Sequence, residues 1–357
     1  MSRKTPAALG FRHPAEWEPH AATWLAWPHQ KEDWPGRFGP IPWVYVDLVR
    51  RLAQVERVRL VVQSARAEAE AREALARGGV DLERVDFRRF PTDRSWLRDT
   101  APTFVVRAGE VAAVDWAFNA WAKYDNHARD DRLPARVARS EKLRRFAPEA
   151  TIAGATRRIV LEGGSVDFDG EGTMLTTEEC LLSDVQARNP GASREELERV
   201  FADWLGVRKV LWLGRGIAGD DTHGHVDDLA RFVAPATVVV AHEPDPRDDN
   251  HEPLAENLER LRSMTDASGR PLRVVTLPMP APVVFDGQRL PASYANFYIA
   301  NGLVLVPTFN DPNDRVALAT LAELMPDREV VGVHSLDLVW GLGTLHCMSH
   351  EEPAAQG

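Results

Sequence analysis

The chain has 357 residues, of which 44% are hydrophobic and 27% are charged. These proportions are those of an ordinary globular protein, so they exclude a disordered or fibrous chain and leave enough apolar material for a sizeable core. The 43 Lys and Arg residues face 53 Asp and Glu residues, which gives a formal net charge of −10. This acidic balance argues against a nucleic-acid partner or an anionic membrane surface.

Cysteine usage and the length of the apolar runs bear on the compartment. Cys180 and Cys347 are the two cysteines of the sequence, too few for a disulfide framework, which predicts a reduced environment. The first residues carry no apolar run of the kind that a signal peptide has. The longest apolar stretch, residues 232–241, is too short to span a bilayer and contains a proline. We therefore expect a cytoplasmic protein.

Helices and strands alternate along the whole chain. Helical periodicity predicts helices over residues 43–56, 64–79, 193–206, 252–264 and 313–327, with start signals at Ser64, Ser193 and Asn313. Apolar, β-branched runs predict strands over residues 22–29, 58–63, 103–116, 174–182, 231–242 and 298–309. Because no proline- or serine-rich linker divides the chain, residues 1–357 are predicted to form one α/β domain.

Four hairpin-like units repeat one layout, in which a polar residue precedes a strand, a short turn and a second strand. The units begin near Asp99, Glu162, His225 and Asn296. The terminal segment with Cys347 is placed to close a ring against the strand at 22–29. Repeated units usually stack or circle an axis, because one unit alone cannot bury its apolar face. If these units surround an axis, their leading polar residues converge on it.

The densest polar cluster is "GDDTHGHVDD", residues 219–228. If this segment is a strand, its alternate residues His223, His225 and Asp227 share one face and form a candidate zinc site. No second histidine-rich segment of the sequence supplies further ligands. A solvated loop and a zinc-dependent hydrolase both stay open as interpretations of this segment.

Three acidic residues and a histidine around one cysteine raise a chemical conflict. Carboxylates raise the pKa of a nearby thiol and make it inert. A cationic substrate removes the conflict, because a guanidinium presents planar N–H donors that match carboxylates. The cysteine can then attack the positive carbon while the histidine serves as general acid and base. The residues thus predict a small guanidino substrate and a reaction that needs neither a metal nor another cofactor.

Motifs spread nearly end to end carry a resemblance to a known family. They are "PAEWEPHAATWLAWPH", "SWLRDTAPTFVV", "FNAW", "LEGGS", "GEGTMLTTEECLL", "RNPG", "DDTHGHVDD", "YANFYIANG" and "WGLGTLHCMS". Through them the chain resembles the agmatine deiminases of the guanidino-group-modifying superfamily. The resemblance implies a five-bladed α/β propeller with pseudo-fivefold symmetry, the pentein fold. It also implies hydrolysis of agmatine to N-carbamoylputrescine and ammonia through a covalent thiouronium, without a metal.

The same resemblance assigns roles to single residues. It places the nucleophile at Cys347, the acid–base histidine at His225 and the guanidinium-binding carboxylates at Asp99 and Asp227. It implies the following further assignments: Glu162 orients the histidine or the cation, Trp96 lines the pocket, Asn296 is a polar neighbour of the site, Asp221 holds the amine end of agmatine, and Cys180 is core. Because members of the family are commonly homo-oligomers, a homo-oligomeric assembly is open for this chain as well.

Two other guanidino substrates remain alternatives to agmatine. Peptidyl-arginine requires an open mouth and usually a secreted enzyme, whereas this chain is expected in the cytoplasm. Free arginine requires a cation to hold its carboxylate, and no cationic residue stands out in the matched motifs. Agmatine is therefore the favoured substrate.

Overall fold

The computed structural model describes residues 5–355. Residues 1–4 and 356–357, the ends of the predicted domain, lie outside the described residues. The helices are α1 Ile41–Val55, α2 Ala65–Arg77, α3 Leu97–Thr100, α4 Leu133–Ser140, α5 Glu178–Leu182, α6 Arg194–Leu205, α7 His251–Ser263, α8 Pro312–Leu324 and α9 Leu345–Met348. The strands are β1 His20–Ala26, β2 Arg57–Val62, β3 Val85–Arg89, β4 Thr103–Arg107, β5 Glu110–Val114, β6 Arg144–Phe146, β7 Glu149–Ile152, β8 Ala155–Arg158, β9 Asp167–Phe168, β10 Thr173–Thr177, β11 Lys209–Leu213, β12 Ala230–Ala234, β13 Thr237–His242, β14 Arg273–Pro278, β15 Val284–Phe285, β16 Gln288–Arg289, β17 Tyr298–Ala300, β18 Leu303–Thr308, β19 Glu329–His334 and β20 His350–Pro353.

One strand pattern recurs in five sheets. In each, a first strand pairs antiparallel with a second, and the second pairs parallel with a third that follows at least one helix. The sets are β4-β5-β6, β9-β10-β11, β12-β13-β14, β17-β18-β19 and β20-β1-β2, the last extended by β3. The helix between the parallel strands is the crossover that parallel pairing requires. The expected pairing of the C-terminal segment with the first strand is present, since β20 runs antiparallel to β1.

The mixed α/β fold is confirmed, and most predicted elements lie within a few residues of their expected bounds. Strong local signals explain this agreement. The side chain of Ser193 accepts from the backbone N–H of Glu196, whose own side chain accepts from Ser193, and this capping box starts α6. Ser64 is the N-cap of α2, as predicted, and its side chain accepts a hydrogen bond from the backbone N–H of Ala67.

Two local predictions are wrong, and of the two interpretations left open for residues 219–228 the strand is not observed. The strand expected over 174–182 stops at Thr177, because the Thr177 hydroxyl accepts from the N–H of Cys180 and begins α5. The cap of α8 is Asp311 rather than Asn313. Residues 219–225 are turns and loop, not a strand, and residues 226–228 form one turn of 3₁₀ helix.

The apolar faces of the outer helices bury the sheets. In α1, Tyr45, Leu48, Val49 and Leu52 recur at helical spacing and are all fully buried. They pack in one cluster with Leu60 of β2. Within residues 5–355, no helix combines the length and apolarity needed to cross a membrane.

Candidate active site

The five polar residues that lead the repeated units stand at equivalent places in the five sheets. Asp99, Glu162, His225, Asn296 and Cys347 each come a few residues before the first strand of their sheet, respectively β4, β9, β12, β17 and β20. Their side chains lie close to one another, since His225 is within 4.0 Å of both Asp99 and Glu162, and Asn296 is 3.1 Å from the sulfur of Cys347. The predicted convergence of the leading residues is therefore present.

Cys347 lies in the short helix α9 and is 8% exposed. The side-chain amide of Asn296 donates to its Sγ over 3.1 Å, and the same amide donates to Asp228 Oδ1 over 2.9 Å. Asn296 Oδ1 accepts from the Thr344 hydroxyl at 2.7 Å and from the backbone N–H of His346 at 3.0 Å. Asn296 thus fixes both the sulfur and the backbone that carries it.

Two glycines let other groups approach the cysteine and the histidine closely. A Cβ at Gly343 would lie 3.0 Å from the Trp96 ring and 3.3 Å from Cys347 Sγ. A Cβ at Gly164 would lie 2.5 Å from His225 Nδ1 and 3.0 Å from Asp99 Oδ1. Gly164, the second glycine after Glu162, therefore permits tight packing against His225 and Asp99.

Asp99 is buried with both oxygens partnered. Oδ1 accepts from the backbone N–H of Gly164 and Oδ2 from the indole N–H of Trp121, each at 2.9 Å. Ala120, Trp121 and Ala122 all have φ between 50° and 58°. Three successive non-glycine residues in the left-handed region are strained, and such strain clusters at functional sites. Here it places the Trp121 indole beside Asp99.

His225 is fully buried between carboxylates. Its Nδ1 lies 4.0 Å from Asp99 Oδ1 and 4.0 Å from Asp227 Oδ1, and its Nε2 lies 3.8 Å from Glu162 Oε2. Burial acts to lower the pKa of His225, but the charge of Asp99 and the neighbouring side chains of Cys180 and Glu162 outweigh it and hold that pKa well above its usual value. The surroundings of the imidazole therefore favour its protonated form.

Glu162 is held from behind by a buried arginine. Its Oε1 accepts from Arg188 Nε at 3.0 Å, and neither side chain is exposed. Burial acts to raise the pKa of Glu162, but Arg188 and His225 lower it to about 2.

Cys180 is buried in the adjacent apolar cluster as predicted, yet its Sγ also lies within 4.8 Å of a ligand atom of Glu162 and of His225.

Asp227 belongs to a buried network that the sequence did not reveal. Its Oδ2 lies 2.7 Å from His346 Nδ1, and His346 Nε2 lies 2.8 Å from Glu16 Oε2. Glu16 also pairs with Arg231 at 2.8 Å and with Arg98 at 3.3 Å. This network joins the N-terminal segment to α9 behind the site.

The carboxylates suppress ionisation of the thiol when no substrate is bound. Burial raises the pKa of Cys347 well above its usual value, and Asp227, Asp228 and Asp99 raise it further. Asp228 was not predicted as a site residue. Burial and the charge of Asp227 raise the pKa of Asp228 well above its ordinary value. The chemical conflict inferred from the sequence is present in the structure.

Four buried polar atoms at the centre have no hydrogen-bond partner among residues 5–355. They are Glu162 Oε2, both ring nitrogens of His225, and Asp227 Oδ1. Buried polar groups nearly always find partners in folded proteins. Four such atoms on residues near Cys347, whose Sγ lies 3.7 Å from Asp227 Oδ2, make this a candidate ligand site.

A cavity of about 510 Å³ leads from the surface to Cys347 and Asp99. Trp96, Trp121 and Asp221 lie on its wall, so the predicted Trp96 and Asp221 belong to the same cavity. Asp221 Oδ1 pairs with Lys123, and Oδ2 accepts from the Tyr124 hydroxyl at 2.7 Å. Asn296 is not on the wall of this cavity; it supports Cys347 from behind.

The cavity wall also carries a cation, Arg94, which lies just before the matched motif "SWLRDTAPTFVV". Arg94 lines the cavity, pairs with the buried Asp33 and lies 4.3 Å over the Tyr124 ring. Burial raises the pKa of Asp33 to about 6, against the lowering effect of Arg94. The guanidinium of Arg94 and the carboxyl group that pairs with it, Asp33, therefore both lie on the cavity wall.

The candidate zinc ligands are not gathered at one point. His223 has φ 64°, faces Ser183 Oγ at 3.2 Å and lines a different surface depression. In residues 5–355, no cluster of metal-ligating atoms contains His223 together with His225 or Asp227. The alternation argument is wrong because Asp220 Oδ2 binds the N–H groups of Gly224 and His225 and folds the segment as a loop.

Several residues of the site were missed, and some had a signal. Trp121 stands in the "FNAW" motif and Arg188 in "RNPG". His346 lies beside Cys347, but its partner Glu16 is 330 positions away. A contact across that separation leaves no local pattern in a single sequence.

Comparisons with known proteins show what this chain is similar to. The sequence profile of the Porphyromonas-type peptidyl-arginine deiminase family matches residues 12–353. An agmatine deiminase of Ectopseudomonas mendocina is 37% identical over 377 aligned positions, which cover 99% of this chain and 98% of that relative. The structure of the agmatine deiminase of Enterococcus faecalis has a TM-score of 0.91 at 34% identity and covers 99% of each chain. A substrate-bound agmatine deiminase of C. jejuni has a TM-score of 0.85 at 27% identity and covers 97% of each chain.

Proposed function

The chain belongs to the Porphyromonas-type peptidyl-arginine deiminase family, and on this premise we propose that it is an agmatine deiminase. The curated relative and the solved structures named above carry that activity in their names. The observation that carries the proposal is the set of unpartnered atoms of Glu162, His225 and Asp227 beside the sulfur of Cys347. An acidic, buried site of this kind is matched by a planar cation with forked N–H donors.

We propose that Asp99 and Asp227 hold the guanidinium and that Cys347 attacks its carbon. The approach of the cation offsets the carboxylate charges that keep the thiol neutral, so the thiol loses its proton to water. The thiolate then forms a C–S bond to the guanidinium carbon. Imidazolium His225 gives a proton to one amino group, the C–N bond breaks, and ammonia leaves a thiouronium on the sulfur.

The second half of the reaction reverses the role of the histidine. Neutral His225 takes a proton from water, and the hydroxide adds to the thiouronium carbon. The C–S bond breaks while the hydroxyl proton of the adduct passes to the leaving sulfur, which restores the Cys347 thiol and gives N-carbamoylputrescine. Glu162, fixed by Arg188, faces the Nε2 side of His225 at 3.8 Å and supports its protonated state.

Agmatine is also the substrate whose far end suits the cavity. Its amine is a second cation, and besides the paired Asp33 and Arg94 the wall carries the carboxylates of Asp221 and Glu32. Free arginine is the second candidate, because Arg94 lines the same wall and could face a carboxylate. The charge of Arg94 is already matched by Asp33, which favours agmatine.

Several broader features belong to the same proposal. The five sheets share one strand order, and in each of them the leading polar residue stands just before the first strand. This repetition supports a single domain built as a pseudo-fivefold propeller. The two free thiols support a cytoplasmic setting. Assembly into a homo-oligomer stays a prediction, to be measured by sedimentation.

Ammonia release from agmatine, arginine and a blocked arginine peptide, measured side by side, tests the function. We expect agmatine to have the highest kcat/KM and mass spectrometry to identify N-carbamoylputrescine. Cys347→Ala supplies the blank. Turnover of arginine or of the peptide above that of agmatine would overturn the substrate assignment, and ammonia release by the blank would overturn the chemistry.

A further inference from the structure

Lys123 pairs with Asp221, the carboxylate assigned to the amine of agmatine, and has no role in the mechanism above. The ion pair joins Lys123 Nζ to Asp221 Oδ1, while Oδ2 accepts from the Tyr124 hydroxyl at 2.7 Å. Both oxygens of Asp221 are therefore partnered in the substrate-free protein. The amine of agmatine reaches this carboxylate only in competition with a cation that is already there.

One short segment serves both the reacting end and the amine end of the cavity wall. Trp121 donates to Asp99 Oδ2 at 2.9 Å, and its ring meets that of Tyr124 edge to face with the centroids 6.0 Å apart. Tyr124 in turn donates to Asp221, and all four side chains line the cavity. Lys123 stands between Trp121 and Tyr124 in the chain. The segment that orders the guanidinium carboxylate thus brings its own cation to the amine carboxylate.

Asp221 is held in place, whereas the side chain of Lys123 can move into solvent. The side-chain amide of Gln186 donates to the backbone carbonyls of Asp221 and Trp121, each at 3.1 Å. The side chain of Asp221 is 18% exposed and that of Lys123 is 41% exposed. Lysine has a flexible stem and a strongly hydrated ammonium, and ion pairs with an exposed lysine are weak. Displacement therefore moves the lysine and leaves the carboxylate on the wall.

Arg94 also lies beside the Tyr124 ring, but it is a fixed cation. Its side chain is 13% exposed and pairs with Asp33, which is 1% exposed. Breaking a pair that is nearly buried leaves a charge in the protein interior and is costly. Arg94 consequently stays in place when a ligand enters, and Lys123 is the cation that yields.

We propose that Lys123 is a specificity-determining residue that occupies the amine subsite until agmatine displaces it. The inference rests on the proposed function. The far end of agmatine is a cation, so the ammonium of Lys123 competes with it and lowers its affinity. The far end of free arginine also carries a carboxylate, which the same ammonium attracts. Lys123 thus opposes the preference for agmatine that Asp221 supports.

The kinetics of Lys123→Met test the inference. Methionine keeps an unbranched side chain and removes the ammonium. We expect KM for agmatine to fall about two- to fivefold with little change in kcat, which is the size expected when a weak, partly exposed ion pair is removed. The ratio of kcat/KM for agmatine to kcat/KM for arginine should rise. An unchanged or higher KM for agmatine would overturn the inference.

Two controls separate competition at Asp221 from a general effect of charge. Lys209→Met makes the same change elsewhere, where Nζ donates to the Thr265 hydroxyl at 2.6 Å, and it should keep the wild-type KM. In an Asp221→Asn background, Lys123→Met should lose most of its effect, because the lysine then has no carboxylate to occupy. An equal fall in KM in Lys209→Met, or a fall of full size in the Asp221→Asn background, would overturn the inference.

Calorimetry of agmatine binding gives a second readout that needs no turnover. Cys347→Ala is titrated with agmatine, and the Kd is compared with that of Cys347→Ala/Lys123→Met. The double variant should bind agmatine more tightly, by the same factor as the fall in KM. Equal Kd values would show that Lys123 does not compete with the amine. Lack of ammonia release from agmatine by wild type would instead refute the proposed function, since the binding measurement requires no turnover.

Discussion

Asp99→Asn separates the two effects that a carboxylate has on this site. The substitution keeps the shape of the side chain and removes one negative charge. It should weaken the guanidinium complex and slow turnover. It should also make the free thiol of Cys347 more acidic, because Asp99 is one of the charges that raise the pKa of Cys347, after burial, Asp227 and Asp228.

The distances set the expected magnitudes. A unit cation 4.0 Å from Asp99 Oδ1, as His225 Nδ1 is, interacts by about 4 kcal/mol at an effective dielectric of about 20. Loss of one partner of a desolvated charge pair typically costs about 2–5 kcal/mol, which corresponds to a fall in kcat/KM of about 30-fold to several thousand-fold. Since asparagine can accept at one atom only, either Gly164 N–H or Trp121 Nε1–H loses its partner, at about 1–3 kcal/mol of stability.

Two assays check these expectations on the same preparations. The first is kcat/KM for agmatine, and the second is the rate at which iodoacetamide alkylates Cys347 in substrate-free enzyme near pH 7. Asp169→Asn is the control, because Asp169 is a buried aspartate that accepts two backbone N–H groups at 2.7 and 2.8 Å in the turn after β9. We expect Asp99→Asn alone to lose activity and to be alkylated faster. Near-normal kcat/KM in Asp99→Asn, or slower alkylation, would refute the electrostatic reasoning.

Three further predictions concern the nucleophile, the amine end and metal. Cys347→Ala should lose turnover by at least several orders of magnitude while circular dichroism shows a retained fold; substantial activity would exclude Cys347 as nucleophile. Asp221→Asn should raise KM for agmatine about tenfold with little change in kcat, because a partly exposed carboxylate contributes about 1–2 kcal/mol to binding. The ratio of kcat/KM for agmatine to kcat/KM for arginine should also fall. An unchanged ratio would show that Asp221 does not bind the amine end. Exhaustive chelation should leave activity unchanged, because the reacting charge comes from the substrate, and stoichiometric zinc whose removal abolishes activity would contradict this.

Local patterns in the sequence were sufficient for the five longest helices, α1, α2, α6, α7 and α8, and for the leading residues of the hairpins. The spacing of apolar side chains fixed α1, and Ser193 with Glu196 fixed the start of α6. Interpretations based on local patterns were wrong where a side chain binds the nearby backbone. Thr177 ends β10 by capping a helix, and Asp220 folds a polar run into a loop.

The parts of the site that escaped prediction depend on distant contacts. Glu16 meets His346 across 330 positions, and Arg188 meets Glu162 across 26. Asp33 and Arg94, from different segments, pair on the cavity wall. Such pairs form only when the sheets come together, so a single sequence shows the residues without their partners.

Covalent trapping of the intermediate tests the central claim most directly. Wild-type enzyme is quenched in acid during turnover of agmatine, digested, and analysed by mass spectrometry, with Cys180→Ser and Cys347→Ala treated in parallel. The account predicts a peptide containing Cys347 that has gained the mass of agmatine less ammonia, present in wild type and in Cys180→Ser and missing from Cys347→Ala. An adduct on Cys180 alone, or rapid turnover with no adduct on Cys347, would contradict it.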